Sequence, residues 1–187
     1  MSSAGRYLIR DAGPGDLDAI AAFEAEIARV SFGDEAVTDL ALHRRRVAAA
    51  LGRPGEVTLV AVPAGGAGRD GIVGWAWLSA RTNSLTGDRY GNFRSLAAAD
   101  LPDRPLIGEL LLDAVIRAAQ KAGLTRLTGK VHAGNLGMRA LYRKFGFEAA
   151  HLTMERRVPA GPAGGADAAP GTGDHGGRAP GGGGGPR

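Results

Sequence analysis

The chain opens on a short extended run at 7–10, then Gly13-Pro14-Gly15, and Asp16 stands where a helix N-cap would stand. Leu17, Ile20, Ala21, Phe23, Ile27 and Val30 follow at a helical period, so a first strand leads into a first helix. Positions 37–51 are again helical in pattern, with Leu40, Val47, Ala48 and Leu51 on one side and the run His43 to Arg46 mostly on the other. Gly52, Pro54 and Gly55 stop that helix. Two apolar runs, 57–62 and 72–78, flank a loop rich in Gly and Ala and predict an antiparallel strand pair. A polar, turn-prone stretch at 82–91 precedes a further strand at 92–98.

The clearest helix is 107–122, where Ile107, Leu110, Leu111, Ala114, Val115, Ala118 and Ala122 recur at intervals of one, three or four. Gly123 ends it. A strand at 124–131 is followed by Asn135 as the cap of a short helix carrying Leu136, Met138, Leu141, Tyr142 and Phe145. Gly146 closes that helix, and 147–158 predicts a final strand or strand pair. Strands alternating with helices imply a mixed α/β sheet covered by helices.

Composition limits the domain to about 157 residues. Positions 158–187 hold 12 Gly, 5 Pro and 6 Ala, too little apolar side chain to build a core, and are expected to form a disordered tail. The remaining 1–157 suffice for one buried core. With no cysteine there is no disulfide framework, no thiolate metal site and no cysteine nucleophile. No run approaches a membrane span and the first eleven residues lack an apolar centre, so a soluble, cytoplasmic protein is expected. The net charge of +4, from 23 basic and 19 acidic residues, suits an anionic ligand. The arginines are too scattered to argue for nucleic acid.

The candidate chemistry starts at the junction from strand 92–98 into the helix at 107. A strand, a turn and a helix N-terminus gather free N–H groups at one point, an arrangement suited to a pyrophosphate but common to many connections. The later segment is more specific. Asn135-Leu136-Gly137-Met138-Arg139-Ala140-Leu141-Tyr142-Arg143-Lys144-Phe145-Gly146-Phe147 resembles the N-x-x-A-x-x-L-Y-x-K-x-G-F segment of the GNAT superfamily of acetyl-CoA-dependent N-acetyltransferases. The order of elements over residues 6–157 extends the resemblance.

That resemblance implies a GNAT-like mixed, splayed sheet with helices on both faces and transfer of acetyl from acetyl-CoA to a primary amine of a small molecule, peptide or protein. It implies that Leu96, Ala97 and Ala98 pair with the pantetheine arm. Arg104, Leu106, Ile107, Gly108 and Glu109 would form the pyrophosphate turn, and Asn135 would meet the cofactor near its pantetheine end. Tyr142 would point its hydroxyl at the sulfur, where a leaving thiolate needs a proton; a free thiol has a pKa of about 8.5 and tyrosine about 10. An N–H near Leu96 or Ala97 would serve the oxyanion. Tyr90, Asn92 and Arg94 fall where the family places its acceptor.

The sequence also departs from the family. Aligning the last glycine of Q/R-x-x-G-x-G/A on Gly108 puts Asp103 at the Q/R position and Leu106 at the first glycine, with Pro105 between. Arg94 stands where many members carry a glutamate base. His132 is the fallback base, by its ordinary pKa, beside the alternatives of a packing histidine, a water chain or an acceptor amine already partly neutral. Trp75 and Trp77 alternate on a strand, at least one of them in the core or at a dimer contact. A homodimer is an option, a metal site is not expected, and a non-catalytic binding or regulatory module is the rival function.

Overall fold

The computed structural model describes residues 3–65, 71–151, 153, 154 and 156. Two compact units divide the chain, Met1–Glu148 and Ala149–Arg187. The first carries one five-stranded sheet whose order follows the chain: β1 (Tyr7–Asp11), β2 (Glu56–Pro63), β3 (Gly74–Thr82), β4 (Arg89–Ala98) and β5 (Leu127–Gly129). β1 to β4 run antiparallel, and β5 joins β4 in parallel. The helices are α1 (Leu17–Phe32), α2 (Leu40–Ala48), α3 (Arg104–Lys121) and α4 (Leu136–Lys144). The tail expected at 158–187 lies outside the described residues.

Alternation along the strands sorts the core into two layers. On one face Ala76, Leu78, Phe93 and Leu96 meet Ile107, Leu111, Leu112 and Val115 of α3 and Tyr142 of α4. On the other, Val60, Trp75 and Trp77 meet Leu17 and Ile20 of α1 and Val47 of α2. Both tryptophans are buried, and each indole N–H has a carboxylate acceptor: Glu24 Oε1 at 2.8 Å from Trp75 and Glu56 Oε2 at 2.7 Å from Trp77. Paired in this way, the indoles bury large apolar area without stranding a polar atom.

Three helical expectations shift in detail. α2 buries His43 and Val47, and the turn after it buries Ala50, while Leu40 and Ala48 are exposed. His43 therefore leaves the solvated run assigned to it, and its Nε2 lies 2.7 Å from the Val37 carbonyl. α3 starts earlier than expected, at Arg104, and its buried stripe is Ile107, Gly108, Leu111, Leu112, Val115 and Ala119, whereas Leu110, Ala114 and Ala118 are half-buried and Ala122 is exposed. At position 16 the carboxylate does not cap α1. It accepts from the Gly13 N–H at 2.8 Å and binds Arg10 at 2.7 Å, which bends the chain from β1 towards the helix.

The strand expected at 147–158 is absent from the described residues of that stretch. Its first residue is committed elsewhere. Gly146 takes φ 78°, its N–H donates to the Arg143 carbonyl at 3.0 Å, and the Phe147 N–H donates to the Tyr142 carbonyl at 3.0 Å. These two bonds close a Schellman motif on α4, so Phe147 ends a helix instead of opening a strand.

Candidate functional site

β4 and β5 pair only from Gly91 to Phe93 and then part. The far edge of β4 beyond Phe93 is thereby left without a strand partner among the described residues. A bulge sits at the same point: Trp77 faces Ser95 and Leu78 faces Phe93, so Arg94 is an extra residue outside the ladder. The Ala99 N–H donates to the Val73 carbonyl, on the β3 side, and amide direction alternates along a strand. The Ala97 N–H therefore also faces β3, whereas that of Leu96 faces the opening. Of the two amides expected there, Leu96 is the available one.

The opening holds two adjoining cavities. A small one of about 90 Å³ is lined by Phe93, Arg94, Leu96, Lys130, His132 and Tyr142, among others. A larger groove of about 610 Å³ continues along Leu96, Ala97 and Ala98 to Arg104, Pro105, Gly108 and Glu109 of α3, with Asn135, Met138 and Leu141 on its α4 side. Leu96, Asn135 and Met138 line both. The Asn135 side chain accepts from the Met138 N–H at 3.0 Å and so caps α4 while facing the groove. α3 and α4 approach closely at Gly108, where a Cβ would just touch Leu141 Cδ2 at 3.4 Å.

Tyr142 is the buried residue in the wall of the small cavity. It is 8% exposed, and among the described residues its hydroxyl makes no hydrogen bond. Burial alone pushes its pKa up to about 12, so the hydroxyl keeps its proton at neutral pH. Space for the oxygen comes from Gly129 on β5, where a Cβ would stand 2.7 Å from it. Phe93 and Phe147 hold the ring, with centroids 6.0 Å and 4.8 Å away.

His132 lines the small cavity, is exposed, and accepts the Gly134 N–H on Nδ1 at 3.2 Å. In the neutral ring that contact leaves the proton on Nε2. Arg94 also lines the cavity, its guanidinium 5.3 Å from the Trp77 ring centroid. Tyr90 and Asn92 do not line either cavity. Tyr90 faces the Arg126 guanidinium at 5.4 Å, and Asn92 Oδ1 accepts from Thr128 Oγ1 at 3.4 Å.

At the α3 end the altered turn has a particular arrangement. Asp103 faces away towards β1, 2.8 Å from Arg6 and accepting from the Tyr7 hydroxyl at 3.0 Å. The Arg104 N–H is used by the Leu101 carbonyl, Pro105 has none, and that of Ile107 is used by Asp103. Leu106 retains a free backbone N–H among the described residues. Its side chain and that of Ile107 do not line the groove, and Ile107 is wholly buried in the core. Glu109 crosses to Lys144 of α4 at 2.5 Å.

The remaining wall had no place in the sequence reading. Glu26, Ile27, Val30 and Ser31 of α1 line the groove, and Val30 is 64% exposed. A signal existed, since the apolar period of α1 runs past the sheet-facing residues to positions with nothing to cover. Among the described residues there is no group of metal-ligating side chains, and no helix is long and apolar enough to cross a membrane.

Comparison with known proteins gives a consistent outcome. The model of the Acetyltransferase (GNAT) family matches residues 18–147. No curated protein matches. Among solved structures, a possible acetyltransferase from Clostridium difficile 630 superposes with a TM-score of 0.64 at 20% identity, covering 83% of this chain and 99% of its own. An aminoglycoside acetyltransferase from an uncultured soil metagenomic sample, in complex with trehalose, gives 0.61 at 14% identity, covering 85% and 99%. A transcriptional regulator from Bacillus halodurans C-125 gives 0.65 at 17%, covering 81% and 99%. At these identities the likeness is one of fold.

Proposed function

Because the chain belongs to the GNAT acetyltransferase family, we propose that it transfers an acetyl group from acetyl-CoA to a primary amine of a small molecule, peptide or protein. The observation that carries this reading is the Tyr142 hydroxyl, protonated and without a hydrogen-bond partner among the described residues, in a small cavity beside the unpaired edge of β4.

The residues suit the donor. The free edge of β4 at Leu96 to Ala98 offers backbone groups to a pantetheine arm, and Leu141, Met138 and Val30 line the way with apolar surface. Arg104 and Lys144, which line the groove while paired with Asp100 and Glu109, would have to exchange those partners for phosphate, and the Leu106 N–H is the free donor at this end. Bound there, acetyl-CoA supplies an activated thioester: an N–C bond forms, the C–S bond breaks, and one amine proton and one thiolate remain to be dealt with. Tyr142 gives the thiolate a proton or a hydrogen bond and is re-protonated afterwards. The Leu96 N–H serves the developing oxyanion. Arg94 and Lys130 disfavour a second positive charge beside them, so they lower the pKa of an incoming ammonium and favour the nucleophilic free amine. The amine proton leaves to solvent or through His132.

One observation favours a second reading, a binding module without turnover: α3 offers a single free amide where a phosphate cradle needs several. Calorimetric titration of acetyl-CoA onto the full chain, with Leu106→Gly as companion, separates the two. Micromolar binding together with thiol release in an amine screen supports the transferase. Absence of binding in the parent and recovery in the glycine variant supports the module.

A further inference from the structure

The small cavity where β4 and β5 part has an unusual charge pattern for a site that receives an amine. An ammonium would call for a carboxylate, yet among the described residues no Asp or Glu lines this cavity. Arg94 and Lys130 line it instead, with His132 beside them. Among the described residues neither Arg94 nor Lys130 makes an ion pair or a hydrogen bond, although most other basic side chains near the groove do: Lys144 binds Glu109, Arg139 binds the Ala133 carbonyl, and Arg104 stands 3.7 Å from Asp100.

Arg94 is also held in place. The bulge takes it out of the ladder, and its guanidinium rests over the Trp77 ring at 5.3 Å. That ring is fixed in turn by the bond from its Nε1 to Glu56 Oε2, a carboxylate that also accepts from the Ser79 hydroxyl. A guanidinium stacked on an anchored indole loses less freedom on binding a planar anion than one free in solvent. The N–H groups that stacking leaves unused form a fork suited to a carboxylate or phosphate.

We infer that the acceptor is a small amine carrying an anionic group, carboxylate or phosphate, which Arg94 and Lys130 grip while the amine faces the thioester. The inference rests on the transferase reading and narrows its substrate class. It also explains how the site works with arginine where a base is common. Pairing the acceptor's anion with Arg94 and Lys130 cancels the charge that would otherwise hold the proton on its amine.

The test uses the full chain and two pairs of matched probes: β-alanine against β-alaninamide, and 2-aminoethyl phosphate against ethanolamine. Binding is read in the presence of CoA from tryptophan fluorescence, since Trp77 lies beneath Arg94, and turnover is read separately as thiol released from acetyl-CoA. The member of at least one pair that carries the carboxylate or phosphate is expected to bind tenfold or more tightly than its partner without it. Whichever pair shows the preference tells carboxylate from phosphate. Arg94→Gln and Lys130→Gln should each remove most of that preference. No tighter binding of either member that carries the carboxylate or phosphate, absence of all binding included, overturns the inference, as does a preference that survives both substitutions. Anion-dependent binding without thiol release from any probe counts against the transferase reading alone.

Discussion

Phe147 both stacks on Tyr142 and ties it down: the ring centroids are 4.8 Å apart at an interplanar angle of 25°, and the Phe147 N–H donates to the Tyr142 carbonyl at 3.0 Å. Stop signal and candidate acid are thus one unit. The glycine turn that ends α4 brings down the aromatic cover over the Tyr142 ring. Phe147→Ala should cost about 2–4 kcal/mol of stability, somewhat below the range for a fully buried aromatic, and should lower the pKa of Tyr142. Phe147→Leu should retain most of both. Denaturant unfolding and ultraviolet titration of the phenol measure the two effects.

Tyr142→Phe keeps the ring and deletes the oxygen. Turnover is expected to fall about 10²–10⁴-fold, the range for a positioned acid, with the Kd for acetyl-CoA changed less than about threefold, below one hydrogen bond's worth. Single-turnover kinetics beside calorimetry make the comparison. An unchanged rate would take Tyr142 out of the mechanism.

The same hydroxyl sets an alkaline limit on stability. Burial raises its pKa in the folded protein to about 12, against about 10 in the unfolded chain. The folded state holds the proton more tightly, so this contribution is complete below pH 10 and is lost as pH rises through 12. The difference corresponds to roughly 3 kcal/mol. Between those pH values the parent should lose more stability than Tyr142→Phe, with the other tyrosines common to both. Parallel denaturation curves across the window for the two proteins would exclude the effect.

Gly129 and Tyr142 should be coupled energetically. A Cβ at 129 would lie 2.7 Å from the Tyr142 oxygen and 3.0 Å from Cζ, so Gly129→Ala is expected to destabilise by about 1–3 kcal/mol, as overpacking does, and to displace the hydroxyl. In a Tyr142→Phe background the cost should drop by about 1 kcal/mol, a coupling of the size seen between touching residues. A double-mutant cycle in denaturant reads it directly.

Asn135 has two separable tasks. Its Oδ1 caps α4 through the Met138 N–H, so Asn135→Ala should cost about 1 kcal/mol and Asn135→Ser should restore most of it. If the side chain also meets the cofactor, acetyl-CoA affinity will fall in both variants. Recovery of affinity together with stability in Asn135→Ser would show capping alone.

Much of this protein was legible from its residues alone, wherever the deciding interaction is local. The helical period of α3, the cap at Asn135 and the Gly146 stop depend on neighbours within a turn of the chain, and the Asn135 to Phe147 segment carried the family resemblance that the match over 18–147 bears out. The fold class followed from the alternation of strands and helices.

Other features depend on partners far along the chain. His43 reads as part of a charged run until α2 turns it into the core beside Val47. Asp103 aligns with the Q/R position of the family's phosphate turn, yet Arg6 and Tyr7, almost a hundred residues earlier, draw its carboxylate away. The grip of Trp77 on Arg94 needs the bulge in β4 and the Glu56 acceptor on β2. The α1 wall of the groove, from Glu26 to Ser31, exists only because β5 leaves β4 after Phe93. Periodicity records which residues want to be buried, whereas the lining of a cleft is set by which elements fail to meet, and that is decided only when the whole sheet is assembled.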